Sequence, residues 1–334
     1  MSLPWPARFD SPVLQSLRPI IESSRHVQTH QEKVVEHAGW LAYEELAFPQ
    51  FLLPFGVGAD RNETIDFILV STCLNFAYTD FSTHEVFHVD FAGKRWWDAE
   101  GMFACLKRAS DEGIPVLDGR YLRGVRREDL EQIFRGPSRM PLLEERAEIL
   151  RAVGEVLCQR YDGFFHNFVD AHPPRLYAEG RGLLERLVAE FARFNDVSPA
   201  GRGHEVKFYK LAQLGLWMLH TALFRSGGFQ LEDIERMTAF ADYIVPMALR
   251  FMGILSYSPE LKEAIQSWRA LARDGREEVE IRAHTLYATA LFTEEINRRR
   301  PADRQIIIPQ LDARLWTHYH ASFTPHHLTQ TIMY

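Results

Sequence analysis

The stretch of sequence that decides the fold is residues 208–243, FYKLAQLGLWMLHTALFRSGGFQLEDIERMTAFADY. In its first half, apolar and small residues recur at helical spacing, which predicts a helix that ends before Gly227-Gly228. The face of that helix consists of Phe208, Leu211, Gly215, Met218 and Ala222. In the second half, Leu231, Ile234, Thr238 and Ala241 repeat the spacing. The stretch therefore predicts a helical hairpin.

Two residues that can perform chemistry lie near the ends of this hairpin. Lys210 is near its start, and Asp242 follows 32 residues later in the sequence. Pro246 discourages a straight helix through the residue before it, so we expect Asp242 near a helix end or turn. Helix-hairpin-helix base-excision glycosylases have a similar order and spacing of lysine and carboxylate. On spacing alone, a helix-capping aspartate and a solvated lysine are the simpler interpretation, and both interpretations stay open.

The remainder of the chain predicts a mainly α fold with one small β-hairpin in the N-terminal half. Phe87, Val89 and Phe91 alternate with polar residues, and a turn at residues 92–94 leads into Arg95-Trp96-Trp97. Residues 66–78 are apolar enough for a buried helix or a buried strand. Helical spacing and capping signals predict further helices at residues 99–109, 127–134, 258–274 and 277–299.

The domain organisation is predicted as a single domain over residues 1–334. The sequence Arg135-Gly136-Pro137-Ser138 breaks a predicted helix and is the best candidate for an internal boundary. The alternative is therefore two lobes, a helical lobe with the β-hairpin at residues 1–136 and a helical lobe with Asp242 at residues 137–334.

Charge and composition limit the possible partners. The net charge of -7 and the pI near 6.1 argue against binding to long nucleic acid, because phosphate neutralisation needs a basic surface. Cys73, Cys105 and Cys158 are far apart, which fits a reducing compartment, and we predict that all three are buried thiols. The first residues do not resemble a signal peptide, and no apolar run approaches the roughly 20 residues that span a bilayer. We expect a cytoplasmic monomer that acts on a small molecule.

Motifs for metals and common cofactors are missing. The chain has 14 histidines, but the one Glu-x-x-His motif, from Glu85 to His88, falls on a predicted strand. Gly56-Val57-Gly58 and Gly201-Arg202-Gly203 lack the third glycine of a dinucleotide-binding loop. The sequence contains no Gly-x-Ser-x-Gly elbow. We therefore predict neither a metal nor a cofactor.

Several sequence blocks, taken in order, resemble the queuosine salvage family from about residue 65 to the C-terminus. The blocks are Leu74-Asn75-Phe76, Asp111-Glu112-Gly113-Ile114-Pro115, Phe208-Tyr209-Lys210 with Ala212-Gln213, Phe240-Ala241-Asp242-Tyr243 with Pro246, Glu278-Val279-Glu280-Ile281-Arg282, Leu315-Trp316 and Tyr334. Members of this family act as queuosine 5'-phosphate N-glycosidases. The resemblance implies a mainly helical fold similar to that of DNA glycosylases, with a pocket for a free nucleotide.

The resemblance also implies roles for individual residues. It assigns the catalytic carboxylate to Asp242, a base-stacking ring to Phe240 and the recognition of the modified base to Asp312. We predict Lys210 as the second catalytic residue. The predicted substrate-binding set is Phe240, Asp312, Tyr243, Trp316, Asn75 and Arg282.

The chemistry of the reaction explains these residue types. Breaking a ribosyl C–N bond builds positive charge on the sugar, which a carboxylate such as Asp242 can stabilise or attack. Queuine is a 7-deazaguanine and lacks N7, so the base cannot be protonated there. Its secondary amine is cationic, and Asp312 can pair with it. Lys210 either lowers the pKa of Asp242, which we prefer, or binds the 5'-phosphate.

Alternative roles remain open for three of these residues. Phe240 and Trp316 either stack on the base or fill the core. For Arg282, an i,i+4 ion pair with Glu278 is the leading interpretation and a phosphate contact the minor one.

Three functions are compared. The leading one is an N-glycosidase that acts on queuosine 5'-monophosphate and releases queuine for salvage into tRNA modification. The second is a non-catalytic protein that binds queuine or a modified nucleotide in the same pocket. The third, a DNA-repair glycosylase, requires a basic stripe that faces DNA, and the net charge of -7 argues against it.

Overall fold

Helices form most of the chain, as the sequence predicts. The computed structural model describes residues 5–6, 11–53, 55–56, 58–201, 203–320 and 325–334. Numbered in chain order, the helices are α1 (Pro12–Ser16), α2 (Arg18–Ser23), α3 (Gln31–Leu41), α4 (Arg61–Cys73), α5 (Asp98–Asp111), α6 (Gly119–Leu122), α7 (Arg127–Ile133), α8 (Leu143–Arg160), α9 (Phe165–Asp170), α10 (Leu183–Glu190), α11 (Lys210–Leu223), α12 (Ile244–Phe251), α13 (Pro259–Gln266), α14 (Arg276–Asn297) and α15 (Ile308–Tyr319). The mainly α prediction is confirmed.

The strands are short and pair in twos. They are β1 (Val27–Thr29), β2 (His88–Phe91), β3 (Lys94–Trp97), β4 (Val197–Pro199), β5 (Glu205–Lys207) and β6 (Leu255–Tyr257). The antiparallel pairs are β1 with β6, β2 with β3, and β4 with β5. The hairpin of β2 and β3 confirms the predicted one. Its turn residues Ala92 and Gly93 have φ of 51° and 76°, as a tight two-residue hairpin turn requires.

The chain divides into two units that are interleaved in sequence. The first unit contains Met1–Pro49, Asp196–Gln213 and Asp233–Gln330. The second contains Gln50–Asn195, Leu214–Glu232 and Thr331–Tyr334. Residue 136, the predicted boundary between two lobes, lies inside the second unit.

Helix α14 forms the centre of the first unit. It is buried along nearly its whole length and contacts α2, α3, α12, α15 and strand β1. Its apolar side chains, such as Ile281 and Phe292, are fully buried, and burying a side chain of this size contributes roughly 1.5–3 kcal/mol. Several polar residues of α14 are also buried, among them Glu278, Glu280 and Arg282, so this helix brings charged groups into the interior.

In the second unit, residues 66–78 resolve into the end of α4 and a short loop. The α4 helix is capped by Asp60, whose side chain accepts from the Glu63 N–H. The fully buried Arg146 of α8 donates to the carbonyl oxygens of Leu74 at 2.5 Å and Phe76 at 2.6 Å. These bonds satisfy the backbone of the loop that follows α4.

Most helix predictions agree with the structure, and two differ from it. Helices α5, α7, α11 and α14 confirm the predicted ones within a few residues. Ser258 caps α13 as expected, but that helix ends at Gln266, before Asp274. The predicted helix through Leu231 and Ala241 is wrong: the structure has a short 3₁₀ turn at Ile234–Arg236 and then no helix or strand until α12 begins.

Among the residues that the structure describes, no helix is long and apolar enough to cross a membrane. Cys73 and Cys105 are buried free thiols, as predicted, whereas Cys158 is partly exposed. Burial raises the pKa of Cys73 and Cys105 to about 12, so both thiols stay protonated and unreactive at neutral pH.

Candidate active site

Lys210 lies at the start of α11, directly after the hairpin of β4 and β5. The preceding residue, Tyr209, has a φ of 49°, in the left-handed region that side chains rarely adopt. This conformation turns the chain sharply from β5 into the helix. Lys210 is 6% exposed, so a solvated surface lysine, the simpler interpretation of the sequence, is wrong.

Asp242 lies two residues before α12, which confirms its predicted place near a helix end. Its Oδ1 accepts from the backbone N–H groups of Ile244 at 2.9 Å and Val245 at 3.0 Å. The carboxylate therefore does cap a helix. In the parts of the chain that the structure describes, no hydrogen bond reaches its other oxygen, Oδ2, so that oxygen can face a substrate.

Burial and nearby positive charge shift the pKa of Asp242 in opposite directions. The surrounding protein atoms desolvate the carboxylate and raise its pKa, although the side chain keeps some accessible surface. The positive charge of Lys210 and the two helix N–H groups lower that pKa. Burial is the largest contribution, so the pKa of Asp242 lies above its ordinary value. The effect of Lys210 has the predicted direction, but it does not outweigh burial.

Asp312 is a second acidic residue of the same site. It lies on α15, is 4% exposed, and its Oδ2 accepts from the Phe240 N–H at 2.9 Å. Burial raises the pKa of Asp312 well above its ordinary value, and the negative charge of Asp242 raises it further. The charge of Lys210 lowers the pKa of both carboxyl groups, but only Asp312 has a pKa that the other carboxylate raises. Paired carboxyl groups with different pKa shifts are typical of sites that hold a charged and a neutral carboxyl group side by side.

Gln213 connects the lysine helix to the segment that carries Asp242. Its Nε2 donates to Thr238 Oγ1 at 2.9 Å, and its Oε1 accepts from the Thr238 N–H at 2.9 Å. The same Nε2 donates to the Phe208 carbonyl oxygen at 3.0 Å. A fully buried amide with these partners fixes the irregular backbone of a segment that the sequence predicted as helix.

The aromatic residues of the predicted site have different environments. Phe240 is 5% exposed, whereas Trp316 is 42% exposed and stacks on His320 with a centroid distance of 4.6 Å. The exposure of Trp316 excludes a role in filling the core. Tyr243 stacks on His326 at 4.4 Å. The sequence showed His326 only as one of several histidines near the C-terminus and did not predict this contact.

Arg282 has a different main partner from the one predicted. Its guanidinium donates to both carboxylate oxygens of Asp196, at 3.1 Å and 2.5 Å, and lies 3.6 Å from Glu278. The predicted ion pair with Glu278 is present but is the longer of the two. Because the carboxylates of Asp196 and Glu278 already neutralise Arg282, a direct contact between Arg282 and a phosphate is less favourable. No sequence signal pointed to Asp196, which is 86 residues away.

Asn75 lies in the second unit, in the loop held by Arg146. Its Oδ1 accepts from the Tyr78 hydroxyl at 3.2 Å. Its role as a substrate contact stays a prediction. Among the residues that the structure describes, no group of three or more His, Cys, Asp or Glu side chains is arranged to bind a metal ion.

A cleft with a volume of about 430 Å³ lies elsewhere in the first unit. Its lining includes Ser24, Thr29 and His284, and does not include Lys210, Asp242 or Asp312. His284 is two residues after Arg282 on α14, a rotation of about 200°, so the two side chains leave opposite faces of the helix. This cleft is therefore separate from the acidic site.

Known proteins are similar to this chain over most of its length. The family model described as "Queuosine salvage protein" matches residues 56–334. A protein of Sphaerobacter thermophilus, named queuosine 5'-phosphate N-glycosylase/hydrolase, is 33% identical over 96% of this chain and 97% of its own length. Proteins of the same name from Bos taurus (32% identical, covering 76% of this chain and 71% of their own) and Mus musculus (28% identical, 83% and 83%) are also similar.

The match covers every residue predicted for the site, since these residues all lie between positions 75 and 316. The bacterial relative is similar over almost the full length of both chains. The chain belongs to the queuosine salvage protein family.

Proposed function

We propose that this chain hydrolyses the N-glycosidic bond of queuosine 5'-phosphate and releases queuine, with Asp242 as its catalytic carboxylate. The names of its relatives support the substrate and the reaction. One observation carries the assignment of the site: Asp242 is a desolvated carboxylate at a helix N-terminus, under the influence of the buried Lys210. Perturbed carboxylates in such surroundings are frequent in active sites.

The reaction requires stabilisation of a positive sugar. As the C–N bond breaks, its electron pair leaves with the base and the anomeric carbon becomes cationic. The ionised Asp242 stabilises this cation from Oδ2, while the N–H groups of Ile244 and Val245 hold Oδ1. The oxygen of a water molecule then bonds to the anomeric carbon and loses a proton, and the departing nitrogen of the base gains one, so that the products are ribose 5-phosphate and queuine with an uncharged deazapurine ring.

Asp312 recognises the base in this proposal. Burial and the charge of Asp242 raise its pKa and so favour its neutral form before the base binds. The cationic amine of the base favours the ionised form when it arrives, and the two then form a charge-assisted hydrogen bond. Because the base lacks N7, protonation at that position cannot assist its departure, and stabilisation of the sugar by Asp242 supplies more of the rate.

The aromatic residues form the walls of the site. Phe240 and Trp316 stack on the deazapurine, and Tyr243 borders the same segment beside His326. Such stacking contributes about 1–3 kcal/mol per base. Arg282 acts on this set through its ion pair with Asp196, and a substrate contact by Asn75 stays a prediction from the sequence.

The cellular setting is part of the proposal. We infer a monomer that takes a free nucleotide in the cytoplasm. The net charge of -7 is unsuited to long nucleic acid, and the free thiols of Cys73, Cys105 and Cys158 fit a reducing compartment.

The test compares three substrates and three proteins. Wild-type protein is incubated with queuosine 5'-phosphate, queuosine and GMP, and free base is separated by chromatography. We expect base from the first substrate. Asp242→Asn retains an oxygen that caps α12, so it should fold and bind but turn over roughly 10²–10³-fold more slowly. The exposed Asp303→Asn is the matched control and should retain full activity.

Two outcomes would contradict the proposal. Wild-type protein that releases no base from queuosine 5'-phosphate would exclude the activity and favour a binding protein. Unchanged turnover in Asp242→Asn would leave the activity intact and remove Asp242 from its catalytic role.

A further inference from the structure

We propose that Asp196 and Arg282 form a positioning pair that sets the distance between Lys210 and Asp242. The inference deepens the proposed function and rests on it. It explains how two catalytic residues from separate segments are held at a fixed position relative to each other. Neither residue of the pair is expected to touch the substrate.

Asp196 fixes the turn that places Lys210. Its backbone carbonyl accepts from the N–H groups of Phe208 at 2.9 Å and Tyr209 at 3.1 Å. Its Oδ2 accepts from the Lys210 N–H at 3.3 Å. Three consecutive N–H groups thus bond to one residue. The turn needs this support because Tyr209 adopts a positive φ of 49° that is unfavourable for a side chain.

Arg282 extends the same unit to the segment of Asp242. Its two terminal nitrogens bind the Asp196 carboxylate, and its Nε donates to the Ala241 carbonyl oxygen at 3.4 Å. The guanidinium also lies 3.9 Å from the centroid of the Phe208 ring. One planar group therefore contacts the residue before Asp242 and a residue of the lysine turn.

Burial strengthens the contacts of this pair, because little water competes for them. Asp196 is 3% exposed and Arg282 is 2% exposed, so water competes little for either group. Arg282 presents its donors in a rigid fork, which allows it to bind a carboxylate and a carbonyl oxygen at the same time. A lysine at this position has one charged nitrogen and cannot reproduce the arrangement.

The same helix provides a control for the loss of an ion-paired arginine, at a more exposed position. Arg276 also forms an i,i+4 ion pair, with Glu280 at 2.7 Å, but its other partner is Ser23. It therefore tests the loss of an arginine and an ion pair from α14 without a change at either catalytic segment. Its substitution by methionine should lower thermal stability and leave turnover per folded molecule unchanged.

The experiment measures kcat and KM for queuosine 5'-phosphate in Arg282→Met, Arg282→Lys, Asp196→Asn and the double variant of Asp196→Asn with Arg282→Met. We expect kcat to fall roughly 10–100-fold, the scale of a misplacement of about 1 Å, with KM within about threefold of the wild type. Because the two residues act as a unit, the double variant should be no slower than the slower single variant. Arg282→Lys, which keeps the buried charge, should fold and still lose turnover.

The outcomes separate this inference from the function on which it rests. No base release by the wild type would end the proposed function itself. Full kcat in folded Arg282→Lys and Asp196→Asn, or losses that simply multiply in the double variant, would overturn the positioning role while the function stands. A rise in KM with unchanged kcat would also overturn it, because that pattern indicates substrate binding.

Discussion

The Oδ2 atom of Asp312 accepts a hydrogen bond of 2.9 Å from the backbone N–H of Phe240, two residues before Asp242. This contact joins α15 to the segment that carries the proposed catalytic carboxylate. It also places the two acidic residues close enough for the charge of Asp242 to raise the pKa of Asp312. The site therefore holds an acid that is costly to ionise.

The first prediction concerns the cost of keeping Asp312 in the folded state. Its pKa is raised in the folded protein, so the unfolded chain releases its proton first as pH rises. The free energy of unfolding of the wild type should therefore decrease from about pH 3.9 up to the pKa of Asp312 in the folded protein. Asp312→Asn can still accept from the Phe240 N–H, and it lacks this decrease because its side chain does not titrate. In urea unfolding, the free energy of unfolding of the variant relative to that of the wild type should rise by about 1.4 kcal/mol per pH unit in this window.

Asp90→Asn is the control for this measurement. The Arg95 hydrogen bond lowers the pKa of the exposed Asp90, so its pH dependence has the opposite sign. If the stability difference between Asp312→Asn and the wild type were constant from pH 4 to pH 7, the raised pKa of Asp312 would be refuted.

The second prediction concerns Lys210 and the acidic limb of the activity profile. The charge of Lys210 lowers the pKa of Asp242, so Lys210→Met should raise that pKa and shift the loss of kcat at low pH to a higher pH. The measurement is kcat against pH for both proteins. Lys207→Met, which removes a nearby lysine from β5, should leave the limb unchanged. An unmoved limb in Lys210→Met would mean that Lys210 does not tune Asp242.

Local patterns explain which parts of the fold were predictable. The β2–β3 hairpin depends on alternation and a turn within ten residues, and α11 on a continuous helical face, so both follow from neighbouring residues. The segment around Thr238 and Ala241 has helical spacing but forms neither a helix nor a strand. Its backbone groups bond instead to Gln213 and Arg282. Tertiary partners thus replaced the hydrogen bonds of a helix.

The candidate site shows the same limit. Its carboxylates were predicted from the family resemblance, because an aspartate near a helix end looks structural by its spacing, and Asp242 does cap α12. Asp196 gave no signal because its partner Arg282 is 86 residues away and an i,i+4 pair with Glu278 offered a local explanation. A contact of this length is visible only in three dimensions.

The third prediction separates stacking from core filling at Phe240. Phe240→Leu keeps an apolar side chain but removes the ring, so we expect KM for queuosine 5'-phosphate to rise about 5–150-fold if the ring contributes 1–3 kcal/mol of stacking. The exposed Phe224→Leu is the control. A lower melting temperature with unchanged KM would instead identify Phe240 as a core residue. The same assay with Trp316→Leu tests the exposed partner.

The last prediction concerns His284 in the separate cleft. Burial lowers the pKa of His284 to about 4, and Glu280 only partly opposes this effect. Ser24 donates to the Ile20 carbonyl, so its oxygen accepts from Nε2, and Nδ1 must accept from Thr29. Because the unfolded imidazole gains its proton near pH 6.5, native stability should fall as pH drops from 6.5 to 4, by about 3 kcal/mol from this residue.

Urea unfolding of His284→Gln should show a shallower decline, whereas the exposed His204→Gln should follow the wild type. Equal slopes in all three proteins would show that His284 titrates normally in the folded state.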